Sequence, residues 1–284
     1  MGYHTQNTEV NMNFFTVAIY VILDDILKAV GHQEDVQRKV NDALVLTTVL
    51  VACRYFGGNI EKARLYMQDH HCKEMLSKSQ FNRRMHRNQY LLEQVFELFA
   101  AVFVQGNTTK NFLIDSFPVS VCHNIRISRC KLLEQKVFRG KCASKRTYFY
   151  GFKVAVLTTQ DGLPVEIAFL PGAHFDANFL NRMHFNLPQG SSIFGDSAFQ
   201  SYLVEDLSAQ QDQIAWEVCR KKNTTRGDIY QIVLWKKSMR RQIESTFSAI
   251  TDMFPRSIHA VTANGFLIKC FVFVFVYGLD KWLA

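Results

Sequence analysis

The sequence predicts two architectures in one chain. An all-α region covers residues 1–105, and an α/β domain with a mixed five-stranded sheet and packed helices covers 106–284. Three observations predict this. Apolar residues recur at spacings of three and four through residues 13 to 105, as one face of an amphipathic helix does. From residue 106 the texture changes to short β-branched and aromatic runs bounded by turn residues. Those runs and the helical segments between them follow the order β-β-β-α-β-α-β-α.

In order, Phe15, Ile19, Ile22, Ile26 and Val30 mark the apolar stripe of a first helix. A second helix runs through NDALVLTTVLVACRYF and stops at Gly57-Gly58. A short helix, NIEKARLYMQD, follows. After a turn comes a long one, LSKSQFNRRMHRNQYLLEQVFELFAAVF, capped at Ser77 or Ser79. Its first half is basic, through Lys78, Arg83, Arg84 and Arg87, and its second half is apolar. Short helix, turn and basic helix form the helix-turn-helix arrangement, so these four cations are candidate DNA contacts. A solvated basic face is the plainer reading. VQGNTTKN reads as a linker.

Beyond the linker, FLID, TYFYGFKVAVLTT and LPVEIAFLPG read as strands. The last two flank Gln160-Asp161-Gly162, a hairpin signal that makes Asp161 a turn residue. DANFLNRMHF reads as a helix capped by Asp176. SSIFGD is a strand ending on Asp196, a helix follows around Tyr202 to Ala209, and QIAWEVC is the last strand. Met239, Ile243, Phe247, Ile250 and Phe254 line one face of a long helix from Leu234 to Phe254. The apolar stretch from Cys270 to Tyr277 is far shorter than the roughly 20 residues of a membrane span. It reads as a buried element of a soluble, cytoplasmic protein with no membrane partner.

Hydrophobic residues make up 48% of the 284, with 24 phenylalanines, which supplies a core and excludes disorder. A net charge of +8 points to a polyanionic partner, nucleic acid or an anionic surface. The seven cysteines are scattered and never spaced C-x-x-C, as expected of reduced thiols. His70, His71 and Cys72 are adjacent, but no second half-site follows to complete a zinc site.

Two aspartates share one context. Asp115 in FLID and Asp196 in SIFGD each close a short apolar strand, where open α/β sheets place ligand-binding groups. Glu244 follows Ile243 of the helical stripe, so it lies at the edge of the buried face and can look toward the sheet. Three acids converging there would repel one another and carry raised pKa values unless cations lie between them. Hard oxygen ligands select Mg²⁺ or Mn²⁺, and two such ions serve in-line phosphoryl transfer. The plainer readings are a cap, turn or salt bridge for each aspartate and an exposed ion pair between Arg240 and Glu244. Pattern alone leaves both open.

DSFPVSVCHNIRISRCK, GDSAF and RRQIESTFSAITDMFPRSIHAVTANGF closely resemble transposases of the insertion sequence 982 family over nearly the whole chain. These are bacterial DDE enzymes with a ribonuclease-H-like catalytic core. The resemblance implies that fold for the mixed sheet, and Asp115, Asp196 and Glu244 as the DDE triad holding two Mg²⁺ or Mn²⁺ ions. It implies cleavage of element ends and their joining to target DNA. The partner is then double-stranded DNA, terminal inverted repeats and target alike, handled by a homodimer or larger assembly. Related enzymes carry a tyrosine, arginine, glutamate and lysine signature around the third acid. Arg240 and Glu244 keep its spacing, while Lys237 stands at the tyrosine position and Thr251 at the lysine position.

The segment after Asp115 holds Arg126, Arg129, Lys131, Lys136, Arg139, Lys141, Lys145 and Arg146 where a substrate backbone must pass. With Arg240 and Arg241 these are candidate phosphate contacts, against the plainer reading of a solvated face. His123 and Asn124 read equally as DNA contacts or structural groups; His174 and Asp176 in GAHFDANF read as groups approaching the metals or, more cheaply, as a loop residue and a helix cap. Two alternatives remain: a catalytically inactive DNA-binding protein derived from a transposase, and a structure-specific nuclease on the same core.

Overall fold

A computed structural model describes residues 2–142, 146–220 and 224–284. The chain divides into two compact units. One comprises Met1–Phe96, Phe254–His259 and Asn264–Tyr277; the other comprises Glu97–Met253, Ala260–Ala263 and Gly278–Ala284.

The first unit is helical, as the periodicity predicts. It contains α1 (Gly2–Ala29), α2 (Asp42–Tyr55), α3 (Ile60–His70), α4 (Lys78–Arg87), the start of α5 (Gln89–Gly106) and most of α8 (Ala263–Leu283). Helix α1 packs on α2 through Phe15, Ile19, Leu23 and Leu27, a stripe one step round from the predicted Ile22 and Ile26; Val30 is exposed. By length and composition alone, Val10–Ala29 of α1 is long and apolar enough to cross a membrane. Helix α2 starts where the Asn41 side chain accepts the Leu44 N–H at 2.9 Å. It ends before Gly57 and Gly58, whose φ values of 56° and 76° are left-handed.

The long basic helix predicted after Leu76 is two helices. Ser77 opens α4, with Gln80 accepting from both its backbone N–H and its hydroxyl. The helix then breaks at Asn88, whose amide donates to the buried carboxylate of Asp42. Asp42 is a hub. It accepts from Arg84 Nε at 2.7 Å and Arg38 Nη1 at 3.1 Å, and lies 3.0 Å from His32 Nε2. Burial alone would raise its carboxyl, but the bonds from His32, Asn88 and Arg84 outweigh that and hold it below the usual range. In α8 the run Val272 to Val276 is fully buried, as expected of the apolar stretch.

The second unit carries a mixed sheet. Its strands are β1 (Asn111–Cys122), β2 (Arg139–Cys142), β3 (Thr147–Thr159), β4 (Pro164–Pro171), β5 (Ser192–Gly195) and β6 (Ala215–Val218). The order is β2-β3-β1-β5-β6, with β4 also on β3. β1, β3 and β4 pair antiparallel, whereas β1–β5 and β5–β6 are parallel. This pattern is consistent with a ribonuclease-H-like DDE core. Among the described residues the sheet has six strands rather than the predicted five, because Arg139–Cys142 of the basic segment pairs with Thr147–Tyr150. The predicted hairpin is present: Gly162, at φ +86°, donates to the Thr159 carbonyl at 2.9 Å.

Helices α6 (Tyr202–Gln211) and α7 (Tyr230–Asp252) complete the unit. Phe112, Ile114, Leu157, Phe179, Ile193 and Val218 belong to one core cluster. Helix α7 lies on β1 and β5 and buries Met239, Ile243, Phe247 and Ile250, as its stripe predicts. The predicted Asp176 helix is instead a 3-10 turn, Asp176–Asn181, with no side-chain cap. The Asp176 carboxylate is engaged elsewhere, with Ser116 and Lys153.

Candidate active site

The parallel pairing of β1 with β5 ends at Ile114 opposite Gly195, so the next residue on each strand is an aspartate. Asp196 follows the end of β5, as predicted, and its carboxylate accepts the Ser197 N–H at 2.6 Å. Asp115 does not end its strand. β1 continues to Cys122, with Asp115 paired to Val156 of β3, and only its β5 side is left open. A Cβ on Gly195 would lie 2.8 Å from Ile114 Cγ2, so glycine permits this close approach.

Asp115 is half-buried, and its carboxylate accepts the Ser116 N–H at 2.8 Å. Burial, then the Asp196 and Asp176 carboxylates, push it up to about 7 against the opposing pull of that N–H and of Arg240. The structure therefore brings Asp115 and Asp196 together. Glu244 stands differently: it is 63% exposed and accepts from Arg240 Nε at 3.0 Å. An exposed glutamate four residues from an arginine on a helix closes that pair when no stronger cation is at hand. The Arg240 guanidinium is held in its charged form by Glu244 and then by Asp196, and it also acts on Asp115. One cation is thus shared by all three acids.

Asp176, for which the sequence favours a helix cap over an approach to the ion site, caps nothing. Its Oδ1 accepts Ser116 Oγ at 3.0 Å and Lys153 Nζ at 2.9 Å. The motif GAHFDANF resembles a helix start, and nothing local signals a partner far back in the chain.

The candidate DNA contacts divide by exposure. Arg126 and Arg129 are exposed on a 3-10 turn, Asn124–Arg129, and Lys131, Lys136, Arg139, Lys141, Arg146, Arg240 and Arg241 are also exposed. Lys145 lies outside the described residues. Asn124 donates to the Tyr148 carbonyl at 2.7 Å, and His174 Nδ1 is 3.1 Å from the Asn178 amide. Lys237 is exposed, while Thr251 donates back to the Ser248 carbonyl at 2.9 Å.

In the helical unit, Lys78, Arg83 and Arg87 are exposed on α4. Arg84 is not free for a phosphate. Its Nε goes to Asp42, Nη2 to Glu34 at 3.0 Å, and Nη1 to the Val40 carbonyl. His32, Glu34 and Asp42 have the chemistry of metal ligands. The guanidinium groups of Arg84 and Arg38 already neutralise that cluster and would repel a divalent ion.

Two aspartates thus stand where the β1–β5 ladder of a mixed sheet stops, with the charged helix α7 packed on those strands. The chain belongs to the Transposase DDE domain family, whose model matches residues 105–255. Membership implies a DNA partner. No curated protein matches the chain, and no solved structure does.

Proposed function

We propose that the protein is a transposase of the insertion sequence 982 type, with a ribonuclease-H-like core. It cleaves element ends and joins them to target DNA by in-line phosphoryl transfer. The observation that carries this is the Asp115–Asp196 juxtaposition, linked to Glu244 through Arg240, inside the segment the family model matches. A half-buried carboxylate lifted to about 7 beside like charges fits a divalent cation, and three carboxylates are hard donors. Asp115, Asp196 and Glu244 would hold two Mg²⁺ or Mn²⁺ ions, whose chemistry when bound is to activate the attacking oxygen and stabilise the leaving one.

The chain's own groups do the rest. Ser116 N–H orients Asp115, and Ser197 N–H orients Asp196. Once Glu244 turns to the acid pair, Arg240 is released to a DNA phosphate, with Arg241 beside it. Arg126, Arg129, Lys131, Arg139 and Arg146 track the backbone. Residues 1–105 bind the terminal repeats through α3, α4 and the exposed Lys78, Arg83 and Arg87, in helix-turn-helix fashion. Residues 106–284 carry the catalysis. Two element ends require at least a homodimer on DNA, acting in the bacterial cytoplasm.

The test uses a labelled terminal-repeat duplex with Mg²⁺. Asp115→Asn should abolish cleavage and strand transfer while gel-shift binding persists; retained transfer refutes the assignment. The Glu244–Arg240 pair favours one second reading, a DNA-binding protein without catalysis. Wild-type protein that binds repeats but never nicks them would establish it. Nicking without joining would indicate a nuclease.

A further inference from the structure

We infer that Asp176 is a positioning residue for the carboxylate pair, holding β1 through Ser116 and anchored in turn by Lys153. The inference rests on the proposed ion site at Asp115 and Asp196. Past Ile114 the β1 backbone loses its β5 partner and is laddered on the β3 side alone, at the point where Asp115 must be held steady. Ser116, the next residue, donates its hydroxyl to Asp176 Oδ1 at 3.0 Å. Lys153 donates to the same oxygen at 2.9 Å, from a position on β3 opposite Pro118 of β1. One carboxylate oxygen therefore ties two adjacent strands just beyond the acid.

Such a covered ion pair is weak evidence of a purely stabilising role. Lys153 is the one charged residue in the TYFYGFKVAVLTT strand, and both partners are largely covered, with 16% and 22% of their side chains exposed. Apolar replacements for such pairs are often neutral or stabilising. Asp176 has its Oδ1 committed to an ammonium and a hydroxyl, which leaves that oxygen to position β1 rather than to ligate an ion. Outer groups that hydrogen-bond around ion-binding carboxylates fix their orientation, and losing one typically weakens ion binding about 10–100-fold.

The experiment measures Mg²⁺ and Mn²⁺ binding to the full chain by calorimetry, with thermal melting recorded in parallel. Asp176→Ala and Ser116→Ala should each weaken binding about tenfold or more. Asp176→Asn retains an acceptor oxygen at Oδ1 and should bind ions close to wild type. Wild-type binding by Asp176→Ala overturns the inference. Equal losses in Asp176→Asn and Asp176→Ala also overturn it, because the charge rather than the bond would then matter. If Asp176→Ala fails to fold, Ser116→Ala, which removes a single hydroxyl, decides the question. Asp115→Asn is the reference: if it binds ions as wild type does, the ion site itself is misplaced, a result distinct from failure at Asp176.

Discussion

Replacing Asp115 by Asn should stabilise the ion-free protein at neutral pH and leave it almost unchanged in acid. The carboxyl is pushed from its usual 3.8 up to about 7, first by burial and then by Asp196 and Asp176. A folded-state pKa above the unfolded one favours folding fully below pH 3.8, and that contribution is lost as pH rises through about 7. At 1.36 kcal/mol per pH unit the loss reaches at most about 4 kcal/mol above pH 7. Asparagine keeps the shape and an acceptor for the Ser116 N–H but never ionises, so it escapes that loss. Urea denaturation in chelator at pH 4.5, 6 and 8 would show the gap between variant and wild type opening with pH. A gap that stays flat, or a wild type more stable than the variant at pH 8, would refute the account of a desolvated, crowded carboxylate.

In the helical unit, Arg84→Ala removes a partner of buried Asp42 and should cost about 3–5 kcal/mol by denaturant titration. Because the Asp42 carboxyl is held below its usual 3.8, the stability it lends is present above that pH and disappears on acidification. Arg126→Ala with Arg129→Ala should lower the slope of log affinity against log salt by roughly 2, at about 0.9 per phosphate contact, with sequence preference unchanged. Fluorescence anisotropy across a salt series reads this directly. Gly151→Ala would place a Cβ 2.1 Å from the Val119 carbonyl oxygen, forcing β1 and β3 apart at a cost of about 1–3 kcal/mol. Unaltered melting would contradict that geometry.

What was legible in the sequence was what local pattern encodes. The stripe Met239, Ile243, Phe247 and Ile250, the Gly57-Gly58 stop and the Gly162 turn are fixed by residues within one or two turns of each other. So was Asp196 at its strand end. What was not legible depends on partners distant in the chain. The break at Asn88 follows from its bond to Asp42, and the short turn at Asp176 accompanies its bonds to Ser116 and Lys153. β2 was hidden because RGKC has no apolar alternation and gains its strand form only by pairing with β3. The orientation of Glu244 could not be read from spacing, since the same interval serves an exposed pair with Arg240 equally well.

β1 and β3 run for 12 and 13 residues, whereas β5 has only 4. The sheet is therefore stepped, and the β5-facing edge of β1 is unpaired immediately beyond Ile114. Had β5 continued by one more pleat before its aspartate, Asp196 would no longer stand beside Asp115. Strand length is thus bound to the chemistry: grafting two residues onto the end of β5 should carry Asp196 one pleat past Asp115 and abolish cleavage.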